Sequence, residues 1–158
     1  MMLAIGTLFA KDETRVSKHT TVSAGNISIT YGQPSKKGRE IFGGLVPYGQ
    51  VWRTGADEAT EITFTKPCLF AGKQLEAGTY TLFTIPGKTE WTIILNKQLK
   101  QWGAFGYDKV KDQDRMKVTV PSKQTDDVVE TFTITPRADG FLMEWDKTSV
   151  FVPAKAFY

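Results

Sequence analysis

The stretch VPYGQVWRTGADEAT, Val46 to Thr60, gathers a tryptophan, an arginine and two acids among turn-forming residues. Arg53 carries a planar fork of donors and keeps its charge, which suits a carboxylate, a phosphate or a hydroxyl-rich molecule. Two uses of these atoms are open. In one, Asp57 or Glu58 meets Arg53 in bidentate geometry beyond the turn at Gly55 and staples the loop to the strand beginning near Glu61. Trp52 then turns to the opposite side and anchors in the core. In the other, Arg53 faces a pocket and holds a glycan or small-molecule ligand that Asp57 or Glu58 orients. Tyr48, Trp102, Phe105 and Tyr107 would then supply flat apolar walls.

Catalysis makes further demands. Carboxylate-dependent hydrolysis of a glycan or ester needs two groups flanking one cleft. Asp57 and Glu58 are adjacent and diverge in extended chain, so Glu40, Asp108 or Asp112 would have to supply the second acid. No Gly-x-Ser-x-Gly string occurs, and a single histidine, His19, limits nucleophile activation. His19 reads as a surface side chain at a strand start. One cysteine excludes an intrachain disulfide and a Cys-rich metal site. Cys68, among apolar neighbours in KPCLFAGK, reads as a buried, inert thiol. With no Asp-x-Asp-x-Asp loop for calcium, no metal or cofactor is expected.

Charge narrows the partners. Lys and Arg number 20 against 17 Asp and Glu, a net +3 without a basic block, which argues against nucleic acid. The densest basic stretch, Lys36-Lys37-Gly38-Arg39, reads as a solvated turn or a phosphate site.

The elements that must position these residues are strands. A chain of 158 residues with 41% apolar content can bury one core without staples. Alternation puts Ile27, Ile29 and Tyr31 on one face, and likewise Ile62 and Phe64, Trp91, Ile93 and Leu95, and Met116, Val118 and Val120. Val128, Phe132 and Ile134 form another such face, TYTLFTI is apolar on both sides, and FLMEW and SVFV read as closing strands. Pro86-Gly87 and Asp139-Gly140 mark two hairpins. LEAGTY, Leu75 to Tyr80, resembles a tyrosine corner. The expected fold is all-β: a two-layer antiparallel β-sandwich, Greek-key or jelly-roll-like, with long ordered loops at 32–59 and 97–115. Their aromatic content argues that both loops are folded.

The first ten residues read differently. Met1–Ala10 is an apolar run followed abruptly by charge, as at the end of a secretory signal with Ala10 as the cleavage position, or as a first strand. It is too short to span a bilayer. A signal remnant at 1–10 leaves residues 11–158 as one sandwich domain, exported to the periplasm or the exterior.

GREIFGGLVPYGQVWRTGADEATEITF, AGKQLEAGTYTLFTIPGKTEWTIILNK and QWGAFGYD together resemble the DUF2911 family of uncharacterised bacterial proteins, from about Ile27 to Trp145. The resemblance implies export but no activity. One departure stands out: Asp57 occupies a place where the family's usual string has Asn. An amide donor would be lost there, whereas a capping oxygen would be retained. The expected function is ligand or partner binding at a loop-lined end. The alternatives are a carboxylate-dependent hydrolase and an assembly protein using an exposed strand edge.

Overall fold

The computed structural model describes residues 17–157, so the apolar run Met1–Ala10 lies outside the described residues. The predicted alternation is realised as nine antiparallel strands: β1 (Lys18–Ala24), β2 (Ile27–Gln33), β3 (Thr60–Phe64), β4 (Cys68–Phe70), β5 (Lys73–Leu75), β6 (Gly78–Ile85), β7 (Glu90–Asn96), β8 (Asp114–Arg137) and β9 (Gly140–Ala156). They form one sheet in the order β1-β2-β3-β6-β7-β8-β9-β4-β5.

Two long strands let this sheet double over. β8 pairs with β7 through Asp114–Pro121, then with β9 from Ser122 onward; β9 pairs with β4 at its far end. Register shifts between Gln124 and Val129, and between Val129 and Thr133, bend the β8–β9 ribbon. The far half of β8 thereby returns to the end of β2: Phe132 N–H donates to Pro34 O at 2.9 Å and Lys36 N–H to Glu130 O at 2.7 Å. One core results, with side chains from β2, β3, β6 and β7 facing those of β8 and β9.

The faces read from alternation are buried, with one exception. Val128 is 49% exposed, because the bulges beside it break the period between Gln124 and Thr133. The segments around Met116–Val120 and Val128–Thr135 are one strand, as are FLMEW and SVFV. Of three further strands, sequence reading touched only the start of β1, at His19, and neither β4 nor β5. β1 is an edge strand with no fully buried residue, and β4 and β5 have three residues each, too few for a period to show. The 97–115 loop also holds a one-turn helix, α1 (Tyr107–Val110), and a 3₁₀ turn at Lys111–Gln113. Among the described residues no helix is long and apolar enough to cross a membrane.

The corner at LEAGTY forms as its sequence suggests. Tyr80 is buried, and its hydroxyl donates to Glu76 O at 2.9 Å, which ties the entry of β6 to the preceding turn. Cys68 is buried as expected, and burial pushes its thiol up.

Arg115 grips Glu76 through Nε and Nη2 at 2.6 and 2.7 Å, and this contact holds the Glu76 carboxyl at about 2 against an ordinary 4.5. A carboxyl depressed in the folded state stabilises above its unfolded value, and that contribution is lost as pH falls from 4.5 through about 2. Solvent screening keeps it small, since the pair is exposed. Glu76→Gln should therefore cost a small amount of stability near neutrality, where the pair contributes, and change little near pH 2, so that the fall across the acid window becomes shallower. Urea denaturation at a series of pH values checks this, and an acid limb as steep as the parent's contradicts it.

Candidate functional site

The site is built around Trp52. Its indole sits against Phe132 with ring centroids 5.0 Å apart and stacks on Trp145 at 6.1 Å and 15°. Trp91 and Phe42 close on it edge-to-face. Two backbone bonds pin the same residue to β6: Trp52 N–H to Thr84 O at 2.7 Å, and Thr84 N–H to Trp52 O at 3.1 Å. The core anchor expected of Trp52 is therefore present. Ile41 and Val46 of the same loop are buried too, while Leu45 and Tyr48 stay exposed.

After Arg53 the chain turns sharply across β2. A Cβ on Gly32 would lie 2.4 Å from Ala56 O, and one on Gly55 would lie 2.9 Å from Gly32 O, so only glycines allow this crossing. Buried hydroxyls lock it: Thr60 Oγ1 donates to Thr54 O at 2.6 Å, and Thr54 Oγ1 lies 3.1 Å from Thr84 Oγ1. The two long loops then zip together through Ala59 N–H to Gln101 O and Gly103 N–H to Asp57 O, both 2.9 Å.

Asp57 adopts φ +62°, a left-handed conformation that Asn and Asp tolerate better than other side chains. Strand pairing settles its partner. The β1–β2 register places His19 opposite Gly32, the residue over which the 54–57 turn passes. His19 Nε2 consequently donates to Asp57 Oδ2 at 2.9 Å. His19 is a loop clamp rather than a bare surface group, and no sequence signal marks it without knowledge of β1.

The expected Arg53 staple is not made. Among the described residues the ion pairs are His19–Asp57, Lys36–Asp146 and Arg115–Glu76, and Arg53 belongs to none of them. Its Nε is buried without a hydrogen-bond partner. Burial pushes the guanidinium below its ordinary value, and the charge of nearby Asp57 partly offsets this. The staple fails because Asp57 is taken by His19. Glu58 joins an extended bridge with Trp102 and faces a different hollow, of about 370 Å³, together with Glu61 and Lys100.

Arg53 instead lines a cleft of about 630 Å³. Lys37 and Arg39 border it, as do Leu45, Phe105 and the two stacked indoles. The Lys36–Arg39 turn is fixed there by Glu130, whose Oε2 accepts from Lys37 N–H at 2.9 Å, and by Arg39 Nε donating to Lys36 O at 3.0 Å. Among the described residues, the one carboxylate lining this cleft is Asp57.

Of the predicted site residues, the structure brings Arg53 and Asp57 into one cleft. It does not bring the aromatic walls with them. Tyr48 packs against Gly43 away from the cleft, and Trp102 is 49% exposed outside it. Tyr107 is buried against Phe83, with its hydroxyl donating to Asp114; burial and that carboxylate push the phenol up. It is a packing residue, because α1 turns its ring inward. Phe105 alone of the four reaches the cleft. Trp145, which sequence reading placed only in a closing strand, is buried at the cleft wall, where the doubling of the sheet brings it.

A family model described as a protein of unknown function, DUF2911, matches residues 13–154. No curated protein and no solved structure matches the chain.

A buried donor without a partner costs about 1–3 kcal/mol. Arg53→Met keeps the apolar stem and removes that donor together with the charge. The variant should melt at or above the parent temperature, with a gain of up to about 2 kcal/mol in urea denaturation. A loss of more than about 2 kcal/mol would mean that the guanidinium holds the loop after all.

Proposed function

We propose that this chain, which belongs to the DUF2911 family, is an exported binding protein that takes a small anionic ligand in the Arg53 cleft. The observation carrying this reading is the buried, unpartnered Nε of Arg53. A guanidinium whose buried Nε meets no acceptor among the described residues costs stability that an incoming anion can return. Lys37 and Arg39 at the rim add positive potential, and a cleft with low-dielectric walls concentrates it.

An anion is favoured over a neutral sugar by the acceptors on offer. Among the described residues Asp57 is the one carboxylate of the cleft, and its Oδ2 is already engaged by His19 at 2.9 Å, which leaves few acceptors for sugar hydroxyls against three cationic side chains. Export is part of the same proposal and rests on the apolar run Met1–Ala10 and the charged residues after it.

Tryptophan emission suits the test, since Trp52 and Trp145 line the cleft. Acetate, inorganic phosphate and galacturonate should include at least one saturable binder whose affinity falls about 10–100-fold in Arg53→Gln, the range for hydrogen bonds to a charged group. Glucose should give no comparable signal. Binding of glucose that ignores Arg53→Gln would overturn the proposal. Turnover of a chromogenic glycoside, lost in Glu58→Gln, would replace it with hydrolysis.

A further inference from the structure

The cleft is larger and less polar than a bare anion requires. Its volume of about 630 Å³ falls among those that enclose organic ligands. Acetate or phosphate on Arg53 would leave most of it empty. Beside Ser17, Ser35 and Gln50, the lining carries an apolar group, Leu45, Pro47, Val51, Ala104 and Phe105, next to the two indoles.

Two of these side chains are spent on solvent. Phe105 is 87% exposed and Leu45 is 49% exposed. The Phe105 ring is nevertheless held in place. Gly103 has φ +65°, and a Cβ there would come within 2.8 Å of Phe105 Cε2, so the ring lies directly over a backbone that only glycine leaves open. A large ring kept at the mouth of a cleft offers a face to a ligand's apolar body.

The anion end also discriminates. Asp57 lines the same cleft, and its charge is felt by Arg53. That carboxylate partly offsets the pull of Arg53, Lys37 and Arg39 on an anion, and a planar organic carboxylate matches the guanidinium fork in two parallel bonds. We infer that the ligand of the Arg53 cleft is an amphiphilic organic carboxylate, its acid on Arg53 and its apolar or aromatic body against Phe105 and Leu45. This inference rests on the anion-binding reading and adds to it the chemical class of the ligand.

Calorimetric titration of the full chain with phenylbutyrate, phenylbutyramide, acetate and inorganic phosphate tests both ends of the cleft. Phenylbutyrate should bind at least about 10-fold tighter than the other three. Arg53→Gln should bring the acid down to the level of the amide. Phe105→Ser, at a side chain exposed enough to leave folding intact, should weaken acid and amide by a similar factor and preserve their ratio. Equal binding of acid and amide, phosphate or acetate matching phenylbutyrate, or indifference to Phe105→Ser would each overturn the assignment. Arg53-dependent binding of acetate or phosphate, with no gain from the phenyl group, would remove the amphiphile and leave the anion site standing. Absence of binding by all four would remove both.

Discussion

Trp52 is the fixed point on which the rest of this structure depends. Its indole is shared by rings from three parts of the fold: Phe42 of its own loop, Trp91 of β7, and Phe132 and Trp145 of the β8–β9 ribbon. Truncating so large a buried ring costs about 3–5 kcal/mol in a typical core. Here the loss would also free the 32–59 loop from the sheet, because the Trp52–Thr84 bonds rely on the ring to hold that segment against β6. With position 52 committed to the core, the next residue has little freedom. Arg53 is carried to the wall of the cleft by its neighbour's packing, whatever its own side chain would prefer.

That arrangement is held against local cost. Thr54 and Asp57 both have positive φ, and an L-residue there gives up about 1–2 kcal/mol. The buried Arg53 Nε adds a further cost of similar size. Such a cluster survives because its surroundings over-determine it: the Thr54–Thr60–Thr84 hydroxyls, the glycine crossing at Gly32, and the zipper to the 97–115 loop all specify the same turn. The rest of the chain follows ordinary β rules, with alternating faces, a satisfied tyrosine corner and short hairpins. Positive φ recurs at Lys37, Ala71, Lys100 and Asp146, but among the described residues this turn alone joins it to a buried, unpartnered side-chain donor.

The same contrast explains what was legible in the sequence. Strands buried on one face announced themselves through alternation, and Tyr80 announced its corner through the Gly-x-Tyr that precedes β6. β1 did not, since its exposure pattern contains no fully buried residue. Without β1 there was no way to bring His19 to Asp57, 38 residues away. The Arg53–Asp57 staple was the natural reading of residues four apart in sequence, and a strand pairing that sequence reading had not assigned overturned it. Trp145 shows a related limit: its strand was legible, but its place at the cleft wall depends on where the ribbon bends. Bulges set that bend, and no run of apolar residues encodes them visibly.

Asp57 ties these points together. Its backbone conformation accepts Asp or Asn, so either residue can hold this geometry. An Asn side-chain oxygen could still accept from His19 Nε2. What changes is charge. The carboxylate gives the half-buried Arg53 a Coulombic neighbour without occupying its fork. It offsets part of the cost of burying that cation and lowers the attraction the cleft exerts on multiply charged anions. A chain with Asn at this position would present the same walls around a more positive floor. Substitution at position 57 therefore changes the charge of the cleft, leaving its shape to Trp52 and the glycines.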